Sequence, residues 1–270
     1  MARYSSPKTS DYAPAKKSLG QSFLVDSSII DKIVECLGDL AGHQVIEIGP
    51  GQGALTRPLI DKGADLTVVE LDDDLASRLT SEYANNPNFR CLHTDVLDLD
   101  ISTISSKDAL IVGNLPYYIS TPIIRRLIHY RTYFRRAVLM LQREVAERIA
   151  AEPGNGERGF MTVLVEHYFT VSKEFDVPPA AFRPRPKVWS SIVSLKPRIE
   201  TIDSDSMLET LVSASFRQKR KTILNNLKAS DIDVETILSK AGIEARRRAE
   251  TLTRDEWIRL CEAFEQEKRA

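Results

Sequence analysis

Hydrophobic positions along the chain fall into two rhythms. Ile29, Ile30, Ile33, Val34 and Leu37 recur at helical spacing behind a cap-like Asp26-Ser27-Ser28, and Leu75 and Leu79 mark a second amphipathic helix. Between such stretches lie short runs that are mostly apolar: Val45–Ile48, Leu66–Val69, Phe89–His93, Ala109–Val112 and Ala137–Leu141. A further helix is expected over Leu55–Lys62, stopped by Gly63. Short apolar strands alternating with helices are what a parallel sheet covered on both faces requires. The pattern therefore predicts a doubly wound α/β domain with its ligand at the C-terminal ends of the strands. Two later strands are expected around Thr170–Val177 and Ser190–Lys196, separated by a proline-rich stretch. Beyond the acidic, apolar-poor Glu200–Asp205, helical periodicity over 206–228, 232–241 and 253–266 predicts a small helical domain. The first eighteen residues carry no hydrophobic period and read as a flexible basic arm.

Composition narrows the class. A chain of 270 residues, 42% of them hydrophobic, is long enough to hold a core without covalent staples. Cys36, Cys91 and Cys261 are widely separated and have no metal-ligand spacing, so neither a disulfide framework nor a structural zinc is expected. His43, His93, His129 and His167 suit neither a metal nor a catalytic dyad, and no metal is predicted. No apolar run approaches the ~20 residues that span a bilayer, and the N-terminus lacks the apolar core of a secretory signal. A cytoplasmic location with no membrane partner is the expectation.

The formal net charge of −1 argues at first against a nucleic-acid partner. Its distribution reverses that inference. Between residues 61 and 108 eleven acids face four bases, whereas Arg125, Arg126, Arg131, Arg135 and Arg136 crowd one segment. Arg183, Arg185 and Lys187 interleave with prolines; Arg217, Lys219, Arg220 and Lys221 form a run in the helical region; Lys16 and Lys17 sit in the arm. Clusters of this kind bind phosphates and add a salt-dependent, sequence-independent term to affinity.

The strand ends carry the candidate chemistry. Gly49, Gly51 and Gly53 in a strand-to-helix turn let backbone amides approach a ligand. Their GxGxG spacing, stiffened by Pro50, departs from the GxGxxG that cradles a pyrophosphate, which disfavours a nicotinamide-dependent oxidoreductase. Glu70 ends the second strand 21 residues after Gly49, where a carboxylate can accept from ribose hydroxyls. Asp95 follows the third strand and can accept from an adenine amino group. Glycine, glutamate and aspartate in that order favour an adenosine-bearing cofactor.

The fourth strand delivers Asn114-Leu115-Pro116-Tyr117 to the same edge. An exocyclic base amine is a poor nucleophile because its lone pair is delocalised. A carboxamide oxygen and a nearby backbone carbonyl can accept its two N–H bonds and stabilise the positive charge that grows during attack. Pro116 would fix those acceptors and Tyr117 would offer a stacking surface for an extruded base. Ser190-Ser191 has no matched His/Asp partner, so nucleophilic hydrolysis has no support.

Together LGQSFL (19–24), EIGPGQG (47–53), Glu70, Asp95, NLPY (114–117), FRPRPKV (182–188) and FRQKRKTILNNL (216–227) resemble the bacterial small-subunit rRNA adenine-N6,N6-dimethyltransferases, in order from about Leu19 to about Leu260. The resemblance implies a seven-stranded Rossmann-like methyltransferase sheet with a small C-terminal all-helical domain. The expected divisions are an arm at 1–18, a catalytic domain at 19–199 and an RNA-binding helical domain at 200–270. It also implies that S-adenosylmethionine dimethylates two adjacent adenosines near the 3′ end of small-subunit (16S) rRNA, within an assembling subunit, by a monomeric enzyme. Ser22, Leu24, Gly49, Glu70, Asp95 and Asn114 would line the cofactor pocket. Asn114, Leu115 and Tyr117 would hold the target adenine, with Phe182 stacking on its other face. Where this family commonly has Asn, Asp and Asn, the chain has Ser22, Trp189 and Tyr118. Two alternatives stand beside this reading: a large-subunit rRNA adenine-N6 methyltransferase of the antibiotic-resistance type, and a non-catalytic ribosome-assembly factor.

Overall fold

The computed structural model describes residues 21–116, 119–198, 205–228 and 233–269. The arm at 1–18, Tyr117, Tyr118 and most of the Glu200–Asp205 segment lie outside the described residues. The chain divides into two compact units, Met1–Ala146 with Val171–Pro197, and Glu147–Thr170 with Arg198–Ala270.

The first unit begins with a short strand β1 (Phe23–Leu24) and helix α1 (Ser27–Leu37). Asp26 starts α1 as its cap, Oδ1 accepting from the amides of Ser28 at 3.0 Å and Ile29 at 3.3 Å. All five periodic positions of α1 are buried, and Gly38, at φ +84°, ends the helix. The chain then alternates: β2 (Gln44–Ile48), α2 (Thr56–Asp61), β3 (Asp65–Glu70), α3 (Asp73–Glu82), β4 (Phe89–His93), β5 (Leu110–Asn114), α4 (Ser120–His129) and β6 (Arg136–Gln142). A helix α5 (Arg143–Ile149) follows β6 directly. Strands β7 (Phe169–Val177) and β9 (Ser190–Pro197) complete the sheet, and β8 (Phe182–Arg183) pairs antiparallel with β1 in a separate ribbon.

The sheet has seven strands in the order β4-β3-β2-β5-β6-β9-β7. From β4 to β6 neighbouring strands are parallel, and β9 runs antiparallel to β6. The chain enters at β2, winds outward to β4 and returns through β5, so the winding reverses between β2 and β5. Side chains of both central strands are buried on both faces, as their apolar runs require. Helices on both sides of this sheet make it the doubly wound α/β fold that the sequence pattern predicts. The β1–β8 ribbon is an addition that two-residue strands cannot announce in a sequence.

The second unit gathers α6 (Phe160–Tyr168), α7 (Asp205–Ser215), α8 (Ile223–Leu227), α9 (Val234–Lys240) and α10 (Arg254–Arg269). The expected boundary at 199/200 lies beside the observed one at 197/198. Residues 147–170, which the sequence reading leaves in the larger domain, belong instead to the helical unit. The physical reason is a buried arginine. Arg158 is fully enclosed; its guanidinium donates to the carbonyls of Ala151 at 2.9 Å and Leu252 at 3.2 Å and pairs with Glu166. Helix α6 is thereby tied to the stretch just before α10 through a polar knot that has no periodic signature. The helix expected over 206–228 is interrupted at 216–222. Asn226 holds that loop open by accepting from the Gln218 amide and donating to the Gln218 carbonyl, while Thr222 caps α8.

Candidate functional site

A cavity opens at the C-terminal edge of the sheet, where the winding reverses. Its wall is drawn from Gly49, Pro50, Gly51 and Gln52 after β2, Glu70 and Leu71 at the end of β3, Asp95 and Val96 after β4, and Asn114, Leu115 and Pro116 from β5 onward. Ser22, Phe23, Leu24 and Phe182 bring the β1–β8 ribbon against the same space. Four strand ends and one ribbon therefore converge, though the residues span most of the unit's sequence.

The glycine turn is shaped by need. Gly49 and Gly51 adopt φ +65° and +57°, a region that L side chains avoid. A Cβ on Gly51 would also stand 3.1 Å from the Phe23 ring, so β1 can lie over the turn only because no side chain is there. Gly53 is not among the residues that line the cavity; a Cβ there would stand 3.1 Å from Leu79 of α3.

Glu70 is nearly buried, and burial pushes its carboxyl above the usual range, offset in part by the amides of Asp72, Gly51 and Leu71. Oε2 accepts from the Gly51 amide at 3.0 Å and Oε1 from the Asp72 amide at 2.9 Å. Each oxygen keeps a further lone pair that a hydroxyl donor could use. Asp95 lines the cavity, and its Oδ1 accepts from the Leu97 amide at 2.8 Å, shaping the turn.

Asn114 is positioned from two directions. Its backbone pairs with Met140 of β6, and the Leu115 amide donates to the Met140 carbonyl at 3.2 Å. Its side-chain Nδ2 donates to the carbonyl of Ser22 at 3.2 Å. That bond assigns the donor end of the carboxamide to β1 and leaves Oδ1 as the acceptor end. Ser22 itself spends its hydroxyl on the Pro184 carbonyl at 2.6 Å. Gln21 adds a tie from Nε2 to Asp72 at 3.0 Å.

Phe182 lines the cavity and is otherwise buried, its backbone in register with Leu24. Arg183, Arg185 and Lys187 after it are exposed, as are Arg217, Lys219, Arg220 and Lys221 in the loop of the helical unit. The cluster at 125–136 is different. Arg126 donates to the Leu99 carbonyl and lies over the Tyr130 ring at 5.3 Å, Arg131 donates to Ile128, and Arg136 donates to Cys36 at 2.8 Å. Those three are tied to the fold, not held out as a cationic surface.

Sequence reasoning missed the apolar wall of Ile48, Leu71, Val96 and Ile119 and the buried Glu47, which also lines the cavity. Glu47 accepts from Thr56 Oγ1 at 2.7 Å. Burial pushes its carboxyl up to about 8, against that hydrogen bond and with the help of the Glu70 charge. Leu71 directly after Glu70 was the available signal, an apolar residue in an otherwise acidic stretch.

The residues fit an adenosine-bearing ligand. The turn offers backbone amides without side chains, Glu70 offers acceptors for hydroxyls, and Ile48, Leu71 and Val96 offer apolar surface. The model of the ribosomal RNA adenine dimethylase family matches residues 13–266. The chain belongs to the ribosomal RNA adenine dimethylase family. Within it, the ribosomal RNA small subunit methyltransferase A of Geobacter sulfurreducens is 40% identical over 93% of this chain and 95% of that protein. The protein of the same name from Pseudomonas syringae is 41% identical over 93% and 94%. Among solved structures, a dimethyladenosine transferase from Plasmodium falciparum superposes with a TM-score of 0.78 at 26% identity, covering 91% of this chain and 98% of that one. The 23S rRNA methyltransferase ErmE superposes at 0.71 and 27%, covering 90% and 100%.

Proposed function

We propose that the chain transfers methyl groups from S-adenosylmethionine to N6 of two adjacent adenosines near the 3′ end of small-subunit rRNA. The observation that carries the reading is the carboxamide of Asn114 at the cavity wall, oriented by the Ser22 carbonyl with its oxygen as the acceptor end. The family match and the names of relatives about 40% identical over more than nine tenths of the chain support the choice of small-subunit RNA. Likeness to a large-subunit enzyme at 27% identity speaks for the same chemistry and is the second reading.

Bound S-adenosylmethionine supplies an electrophilic methyl group. Glu70 would take the ribose hydroxyls, Asp95 the adenine amino group, and Gly49 and Gly51 leave backbone room for the cofactor. Asn114 Oδ1 would accept an N–H from the target amine, so that its dipole is already aimed when positive charge develops on nitrogen. Pro116 stiffens the loop that carries the acceptors. With the amine held by Asn114, the surplus proton would leave the nitrogen only after methyl transfer, so no strong base would be required of the chain. Ile119 and Phe182 add apolar lining that would limit water around the reacting groups. Leu115 would hold the target adenine together with Asn114, Leu24 pairs with Phe182 in the ribbon, and Tyr117 would stack on the extruded base.

The exposed cations at 183, 185, 187, 217, 219, 220 and 221 would meet phosphates. The reading is completed by a monomer acting on an assembling subunit in the cytoplasm. Among the described residues no helix is long and apolar enough to cross a membrane. The test is transfer of radiolabelled methyl groups to under-methylated small and large subunits. Incorporation into small subunits alone is expected. Incorporation into large subunits alone would favour the second reading, and incorporation into neither would leave a non-catalytic assembly role.

A further inference from the structure

Trp189 is exposed to 44% and its neighbour Val188 to 42%, adjacent members of the small set of large apolar side chains left at the surface among the described residues. Single exposed apolar residues are ordinary. Three observations set this one apart.

The ring is held. The Arg143 guanidinium lies over it, 5.7 Å from the ring centroid, and the Arg143 amide donates to the Trp189 carbonyl at 2.9 Å. A cation over one face fixes a flat side chain that would otherwise collapse onto the nearest apolar surface.

The position is specific. Trp189 directly precedes β9, whose first residue, Ser190, pairs with Gln142 at the end of β6. Met140, two residues earlier on β6, pairs with Asn114. Trp189 therefore stands at the same edge of the sheet as the proposed target-base acceptor.

The surroundings are cationic. Arg183, Arg185 and Lys187 are exposed immediately upstream, and the segment from Phe182 to Trp189 contains no acid. An exposed aromatic beside exposed cations matches a strand that alternates phosphates with unpaired bases, because every base has a π-face and stacking tolerates sequence. A duplex has no free base face to offer, and an acidic protein would use the cations but not the ring.

We propose that Trp189, backed by Arg143, is a stacking platform for an unpaired RNA base flanking the methylated adenosines. This deepens the RNA-methylation reading and rests on it. The chain has two tryptophans, and Trp257 is fully buried, so a nucleotide-dependent change in indole emission reports Trp189. Short single-stranded oligoadenylate should quench that emission, and a duplex at equal phosphate concentration should not. Trp189→Ala should raise KM for under-methylated small subunits about tenfold with kcat within about twofold, and Trp189→Phe should recover most of the loss. Equal quenching by duplex, an unchanged KM in Trp189→Ala, or a fall in kcat alone would overturn the platform. So would self-association relieved by Trp189→Ala, which would make a second copy the occupant. The quenching arm needs no methyl transfer: failure of the wild-type chain to methylate small subunits would sink the functional reading without erasing a single-strand-specific quench.

Discussion

The carboxamide Nδ2 of Asn114 donates to the backbone carbonyl of Ser22 across 92 positions of sequence. The orientation of the proposed catalytic amide is thus set by main chain, not by the Ser22 side chain. Asn114→Ala should lower kcat by about 100- to 1000-fold or more while RNA binding in a filter assay survives. Ser22→Ala keeps the carbonyl and loses only the bond to Pro184, so activity should fall at most about tenfold. A Ser22→Ala loss as deep as that of Asn114→Ala would show that the hydroxyl, not the carbonyl, matters.

Gly113 is the neighbouring constraint. A Cβ there would stand 2.9 Å from the Ile48 carbonyl oxygen and 3.0 Å from Leu115 Cδ2, so β2 and β5 would have to part. Gly113→Ala should cost about 1–3 kcal/mol, and thermal denaturation should show Tm lowered by about 3–10 °C.

Burial raises the Glu47 carboxyl from its ordinary value of 4.5 to about 8. Between those values the folded protein holds a proton that the unfolded chain has released. Stability should therefore fall as pH rises through that window and level off above about 8. Glu47→Gln preserves an acceptor for Thr56 and removes the titration. Tm measured from about pH 5 to about pH 9 should slope downward less in the variant than in the wild type; identical slopes would refute the assignment.

Arg158 is enclosed in the helical unit with Glu166 as its charge partner. Arg158→Leu should cost about 3–5 kcal/mol, because Glu166 and two carbonyls lose their donor together. Denaturant unfolding would register this as a lower midpoint, and limited proteolysis should cut the helical unit first.

The exposed run Arg217, Lys219, Arg220 and Lys221 should act on RNA through charge alone. Replacing all four by Ala should weaken RNA binding and flatten the dependence of log affinity on log salt. On single-stranded RNA the slope should shrink by about 0.7 for each phosphate that is no longer neutralised. A weakened affinity with an unchanged slope would mean that these side chains do not reach phosphates.

The features legible in the sequence are local. Apolar runs at strand length, Asp26 before α1, the glycines of the turn and the acids at strand ends follow from short-range periodicity and backbone sterics, and all are in place in the fold. Long-range packing settled what depends on distant partners. It assigned Gly53 to the Leu79 contact, tied Arg126 and Arg136 to backbone carbonyls, and drew residues 147–170 to the C-terminal helices through Arg158. A polar side chain reads the same in sequence whether it meets water, a ligand or a carbonyl a hundred residues away; only burial, which makes an unpaired polar group costly, selects among them.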